Sequence, residues 1–210
     1  MDKKKLVSEI IQRLKKHYPL RTALRWQNCW QLLVATILSA QCTDERVNKV
    51  TPLFFAKWPD PASLAKADLH EIEEVIRSTG FFRNKAKNLL ATAKKLQAEH
   101  NGQVPSSMQE LLALPGVARK TANIILGNCF GLQEGIAVDT HVKRIAYRLG
   151  LTQEKSPLKI EQDLMQIVPR SEWSNFNHLL VYFGREICKA RKPECAKCIL
   201  ADICPRELNG

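Results

Sequence analysis

The sequence predicts an all-α protein on three observations: apolar residues recur at helical spacing, strand-like alternation does not occur, and acidic or hydroxyl residues precede several of the periodic runs. At the N-terminus, Leu6, Val7, Ile10, Ile11 and Leu14 trace one face of an amphipathic helix, with lysines on its solvated side. The stretch from Trp30 to Ala40 is strongly apolar but far too short to cross a bilayer, so it is expected to be a buried core helix. Further helices are expected to begin after Asp44, Asp60, Asp68, Phe82, Ser107 and Asp139, and another to occupy Leu158 to Val168. Pro59, Pro105, Pro115, Pro169, Gly80, Gly102, Gly131 and Gly150 punctuate these runs. No repeat longer than a helix pair and no low-complexity tract is present, and no linker betrays a domain boundary.

Composition narrows the class of partner. The 210 residues suit one large domain or two small ones, and 45% hydrophobic content is ample for a core. A formal charge of +11, from 32 basic and 21 acidic residues, favours a polyanionic partner. Nothing at the N-terminus reads as a signal peptide, so a soluble, membrane-free protein of the cytoplasm, or one bound to the nucleoid, is expected.

Three motifs carry chemistry. In Leu114 to Ala122, LPGVARKTA, a Pro-Gly turn opens a helix and is expected to place Lys120 about one turn inside it. A helix start exposes unpaired N–H groups and the positive dipole end, so a phosphate can dock there while a nearby amine is discouraged from holding a proton. In Ala137 to His141, AVDTH, Asp139 stands where a helix N-cap belongs; N–H donors would also keep its carboxylate ionised and aimed. Near the C-terminus, Cys188, Cys195, Cys198 and Cys204 are spaced C-x6-C-x2-C-x5-C, with Pro193 and Pro205 breaking helix. Four thiols so close describe a loop wrapped round a metal group, and spacing alone leaves zinc and an iron–sulfur cluster both open. Cys29, Cys42 and Cys129 stand singly and are expected to be small buried residues.

At these residues the chain resembles the endonuclease III family of helix-hairpin-helix DNA glycosylases. The resemblance rests on SAQCTDERVN at Ser39 to Asn48, LPGVARKTAN at Leu114 to Asn123, VDTHVKR at Val138 to Arg144 and the cysteine spacing. It implies a six-helix domain with the hairpin motif at about residues 21–132. It also implies an iron–sulfur domain built from residues 1–20 and 133–210, with the active site in the cleft between the two. By the same resemblance Lys120 is the nucleophile, Asp139 its partner, and the four cysteines hold a 4Fe-4S cluster. The substrate would be double-stranded DNA with damaged bases or abasic sites, bound by a monomer. One departure stands out: Ala118 replaces the second glycine of the usual LPGVGRKTA pattern. If that position needed a positive φ, alanine would be strained by roughly 1 kcal/mol; as the first helical residue it would fit.

The implied reaction begins with rotation of the damaged nucleotide out of the stack. Gln41 is expected to fill the vacated space and Phe81 to wedge beside it, although Phe81 could equally be a core residue. Gly116, Ala118 and Arg119 would line the hairpin's phosphate contact. His141 could orient a phosphate or Asp139, and Lys189, Arg191 and Lys192 would present positive charge to the DNA backbone from the cysteine loop. The resemblance implies a bifunctional glycosylase and AP lyase for oxidised pyrimidines. Two alternatives stay open: a monofunctional mismatch-type glycosylase of the same fold, and a non-enzymatic DNA-binding module with structural zinc.

Overall fold

A computed structural model describes residues 2–205 and, among them, contains helices and no strand. The chain divides into two compact units, Thr22–Gly131 and Met1–Arg21 with Leu132–Gly210. Each has its own buried core.

The contiguous unit holds seven α segments: α1 Cys29–Leu38, α2 Asp44–Lys57, α3 Pro61–Ala65, α4 Leu69–Ile76, α5 Phe82–Glu99, α6 Met108–Leu112 and α7 Arg119–Phe130. Two of them, α3 and α6, are only five residues long, and the seven segments differ from the six helices that the resemblance implies. The apolar helix α1 lies at its centre, with Leu32, Leu33, Val34 and Leu38 fully buried, and it packs on α2, α5 and α7. Local chemistry sets the helix starts. Asn28, Thr43, Asp60, Asp68 and Ser107 each accept a first-turn N–H through the side chain. Asp60 and Ser63 form a reciprocal capping box, and Pro61 takes the first helical position where no N–H is needed. The cap of α2 is Thr43, so Asp44 is its first residue, where a negative charge suits the dipole.

The second unit joins both chain ends. The N-terminal helix, α0 Lys3–Lys15, buries Leu6, Val7, Ile10, Ile11 and Leu14 against α9 Pro157–Ile167 and α10 Trp173–Glu186. The remaining helix, α8 Thr140–Arg148, packs on α10. Sequence reading missed α10, although Trp173, Phe176, Leu179, Leu180 and Phe183 keep helical spacing and are buried. Gly184 sits at its end, where a Cβ would fall 2.6 Å from His141 Nδ1 and 2.9 Å from an Arg144 nitrogen. Glycine is what lets α10 approach α8 so closely.

Also on α10, His178 is buried at 5% exposure, and burial pulls its pKa from the ordinary 6.5 down to about 4. The folded unit therefore favours the neutral ring. Its contribution to stability is complete above about pH 6.5 and is lost as pH falls from 6.5 toward 4, where the unfolded chain binds a proton that the folded one refuses. The slope approaches about 1.4 kcal/mol per pH unit for one proton. Urea unfolding between pH 7 and 4.5 is expected to show this slope, and His178→Gln to flatten it. An unchanged profile in the variant would assign the acid sensitivity elsewhere.

Candidate active site and cysteine loop

The hairpin turn follows from its residues. Pro115 and Gly116 occupy the centre of a turn closed by Val117 N–H donating to Leu114 O at 3.2 Å, and Gly116 has φ 77°. That is type II turn chemistry, in which the third position requires a positive φ. Thr92 Oγ on α5 donates to Pro115 O at 2.7 Å and holds the turn against α5. A Cβ on Gly116 would lie 2.9 to 3.1 Å from the Asn88 side chain. Gly116→Ala thus meets both strain and collision, and is expected to cost 1–3 kcal/mol in thermal unfolding and to weaken DNA binding. A neutral effect on both would separate the turn from the site.

Ala118 is the N-cap of α7, with φ −93° and ψ 167°, so it is extended rather than helical. The position has no need of a positive φ and alanine carries no strain there. Consequently Lys120 is the second residue of α7, closer to the helix start than the one turn expected from sequence. Ala118 offers no side-chain cap, unlike Thr43, Asp60, Asp68 or Ser107 elsewhere in the unit. A phosphate can therefore take the capping place at the start of α7, with Arg119 and the half-buried Lys120 beside it.

In the other unit, Asp139 Oδ1 accepts Val142 N–H at 2.8 Å, so Asp139 is the N-cap of α8 while remaining half-exposed. His141 Nδ1 lies 3.2 Å from Arg144 Nη2. Arginine can only donate, which fixes Nδ1 as acceptor and puts the ring proton on Nε2. Arg144 also donates to Gly184 O at 3.1 Å and to Cys188 O at 2.9 Å. One turn on, the buried Arg148 donates to Lys189 O at 2.7 Å and Ala190 O at 3.0 Å. Sequence reading found neither tie. Their effect is to fasten the start of the cysteine loop to the helix that Asp139 caps.

Cys188, Cys195, Cys198 and Cys204 line one cavity, partly open to solvent, with Arg148, Phe183, Pro193 and Leu200 in its wall. No three His, Cys, Asp or Glu side chains among the described residues are arranged to hold a single ion. Four thiols facing one cavity are instead the soft donor set that suits a thiolate-held cluster. Burial pushes the Cys198 thiol pKa up, the Leu200 N–H it accepts works against that, and the charges of the other three cysteines add to the rise. Of the basic run, Lys189, Arg191 and Lys192 are all exposed. Lys189 is paired with Glu194, which leaves Arg191 and Lys192 the less committed charges.

Gln41 and Phe81 are both exposed and both left-handed, with φ 52° and 48°. Phe81 is 64% exposed, which removes the core reading of that residue. Positive φ in a non-glycine residue is strain, and strain of this kind gathers at working sites. The single cysteines Cys29, Cys42 and Cys129 are half-buried rather than fully buried and all are free thiols; burial pushes the Cys129 thiol pKa up, and its hydrogen bond with Cys29 adds to the rise.

Comparison with known proteins identifies the family. Residues 34–170 match the family model described as HhH-GPD superfamily base excision DNA repair protein. Residues 188–204 match the iron–sulfur binding domain of endonuclease III. Endonuclease III of Synechocystis sp. is 56% identical over 204 residues, 97% of this chain and 93% of that protein. Endonuclease III of Bacillus subtilis is 46% identical over 178 residues, 84% of this chain and 81% of that one. A solved structure of a trapped endonuclease III–DNA covalent intermediate, in an estranged-adenine complex, superposes with a TM-score of 0.92 at 42% identity, covering 98% of this chain and 97% of that one.

Proposed function

Because the chain belongs to the endonuclease III family of base excision DNA repair proteins, we propose that Lys120 is the nucleophile of a bifunctional DNA glycosylase and AP lyase, and that Asp139 is its charged partner. One observation carries the residue assignment: a half-buried lysine is the second residue of an uncapped helix that a Leu-Pro-Gly turn opens. A relative 42% identical has been trapped covalently on DNA, which is what an amine nucleophile permits.

The steps then follow from these side chains. The damaged nucleotide leaves the stack, Gln41 takes its place and Phe81 wedges beside it. Phosphates flanking the lesion accept hydrogen bonds from the N–H groups of Ala118, the N-cap, and of Arg119 and Lys120 in the first turn of α7, which Gly116 lets the backbone present. The neutral Lys120 amine attacks C1′ of the sugar, the bond from C1′ to the base breaks, and Asp139 stabilises the positive charge that develops on the sugar. Asp139 accepts a proton that the nitrogen sheds and returns it to O4′ as the C1′–O4′ bond opens, which leaves the ring-opened imine, while the departing base takes its proton from water. The imine acidifies the C2′ proton; its removal expels the 3′ phosphate and nicks the strand, and water then releases Lys120. His141, with its proton on Nε2, is placed to donate to a phosphate, and Lys189, Arg191 and Lys192 add salt-sensitive, sequence-independent attraction.

The cofactor is a 4Fe-4S cluster, and Cys188, Cys195, Cys198 and Cys204 are the residues that would hold it. Bound there, it supplies a covalent cross-link of the loop. Oxidised pyrimidines are the proposed lesions, and the proposed place of action is the cytoplasm, on nucleoid DNA, consistent with a charge of +11. No helix among the described residues is long and apolar enough to cross a membrane. One chain carries both Lys120 and Asp139, so the reading needs no second copy. Borohydride reduction on a duplex with one abasic site tests it: a covalent protein–DNA adduct is expected. Folded, cluster-loaded protein that gives none would leave a monofunctional glycosylase or a binding module.

A further inference from the structure

Among the described residues of their unit, Gln41, Phe81 and Asn101 are the exposed non-glycine residues with a left-handed backbone, and the first two share a further feature that Asn101 lacks. Both hold a left-handed backbone, and each follows closely on a carbonyl at the end of a helical turn: Leu38 O at the end of α1, and Thr79 O at the end of the 3-10 turn Arg77–Thr79. Those two carbonyls share one donor. Lys85 Nζ reaches Leu38 O at 2.8 Å and Thr79 O at 2.8 Å.

Lys85 belongs to the first turn of α5, and its own N–H donates to Phe81 O at 3.1 Å. Its side chain is only 5% exposed, and burial lowers its pKa. An ammonium in such a place is costly to the fold, and an apolar side chain of similar length would fill the space without that penalty. Helix-end carbonyls are nonetheless good partners for a cation. The strands of backbone between these carbonyls and the two tips are short. From Leu38 to Gln41 the chain turns through Cys42 N–H donating to Ser39 O at 3.1 Å, and Ser39 Oγ donates to Thr36 O at 2.8 Å. From Thr79 to Phe81 it passes through Gly80 alone, at φ 68° and ψ 153°, a conformation nearly restricted to glycine. Left-handed residues at exposed tips persist only when their surroundings over-determine them, and Lys85 is the group that both tips have in common.

We propose that Lys85 is a positioning residue: its buried ammonium clamps the Gln41 and Phe81 loops at a fixed spacing, so that both side chains enter the same opened step of duplex DNA together. This rests on the insertion roles given above to Gln41 and Phe81. Successive bases on a strand lie only about 3.4 Å apart, so two groups that must share one step tolerate little relative drift. A misplacement of about 1 Å can lower a rate by about 10²-fold. Single-stranded DNA has no stack to invade and no partner base to leave unpaired. The clamp therefore acts on duplex substrate and hardly on single strands.

The experiment compares single-turnover nicking at an abasic site in a duplex and in the same oligonucleotide single-stranded, using cluster-loaded protein. For Lys85→Met the ratio of duplex to single-strand rate is expected to fall about 10-fold or more, with the single-strand rate within about 2-fold of the parent. A 2-aminopurine placed opposite the abasic site should lose its fluorescence rise on binding. In a Gln41→Ala, Phe81→Ala background, Lys85→Met should lower the ratio no further, because all three act through one device. Equal losses on both substrates, or a full additional loss in that background, would reduce Lys85 to a fold-stabilising residue and overturn the proposal. If the double variant itself leaves the ratio unchanged, the insertion reading fails and the clamp with it; if the double variant lowers the ratio and Lys85→Met does not, the clamp alone fails. Should Lys85→Met not fold, Lys85→Gln, which keeps an N–H donor without a buried charge, is read by the same ratio and the same criteria.

Discussion

Replacing Lys120 by glutamine is expected to abolish the borohydride-trapped adduct and to lower strand nicking at abasic sites by at least about 10³-fold, equivalent to about 4 kcal/mol of transition-state stabilisation. DNA affinity should change little. The phosphate contact assigned to the hairpin comes from backbone N–H groups, and an amide at position 120 keeps the length and the helix. Stability should stay within about 0.5 kcal/mol, since lysine and glutamine have similar helix propensity. Gel-shift titration beside single-turnover nicking reads both quantities. A variant that binds normally and still forms adduct would remove Lys120 from the chemistry. One that loses binding and activity together would make it a phosphate ligand.

Asp139→Asn is expected to slow base release and nicking by about 10²- to 10³-fold, the range for losing one preorganised electrostatic group. The substitution separates two duties. Asparagine retains the Oδ1 that accepts Val142 N–H, and it caps helices as well as aspartate does, so thermal stability should hardly move. Asp139→Ala loses the cap as well and should cost a further 1 kcal/mol or so of stability. If the asparagine variant keeps its rate within about 3-fold while the alanine variant melts earlier, Asp139 is a cap and nothing more.

Much of this was legible before any coordinates. Helix starts at Asp60, Asp68, Ser107 and Asp139 are written in the capping residue itself, which acts on the next three N–H groups and so leaves a short-range signature. The cysteine loop was legible through spacing. What escaped were long-range ties. Arg148 meets the carbonyls of residues 189 and 190, more than forty positions away, and Lys85 meets Leu38 O across forty-seven. A lysine inside an amphipathic helix reads as a solvated charge, and only the fold shows that Lys85 points inward. Helix α10 was overlooked although its apolar spacing was present, because no capping side chain marks its start. Phe81 could not be placed as tip or core, since an aromatic residue before a helix serves either purpose; its exposure and backbone angle come from the turn at Gly80, not from Phe81 itself.

The cores also differ in when they can be completed during protein synthesis. Residues 22–131 are consecutive, so that unit has all of its apolar partners as soon as they leave the ribosome. The stripe of Leu6, Val7, Ile10, Ile11 and Leu14 emerges first yet finds its partners on helices made last, among them Ile160, Leu164, Phe176 and Leu180. For most of translation the nascent chain therefore trails a sticky leading segment behind an already finished body. Premature termination before α9 leaves that segment without either of these two partner helices, a ready target for chaperones and proteases.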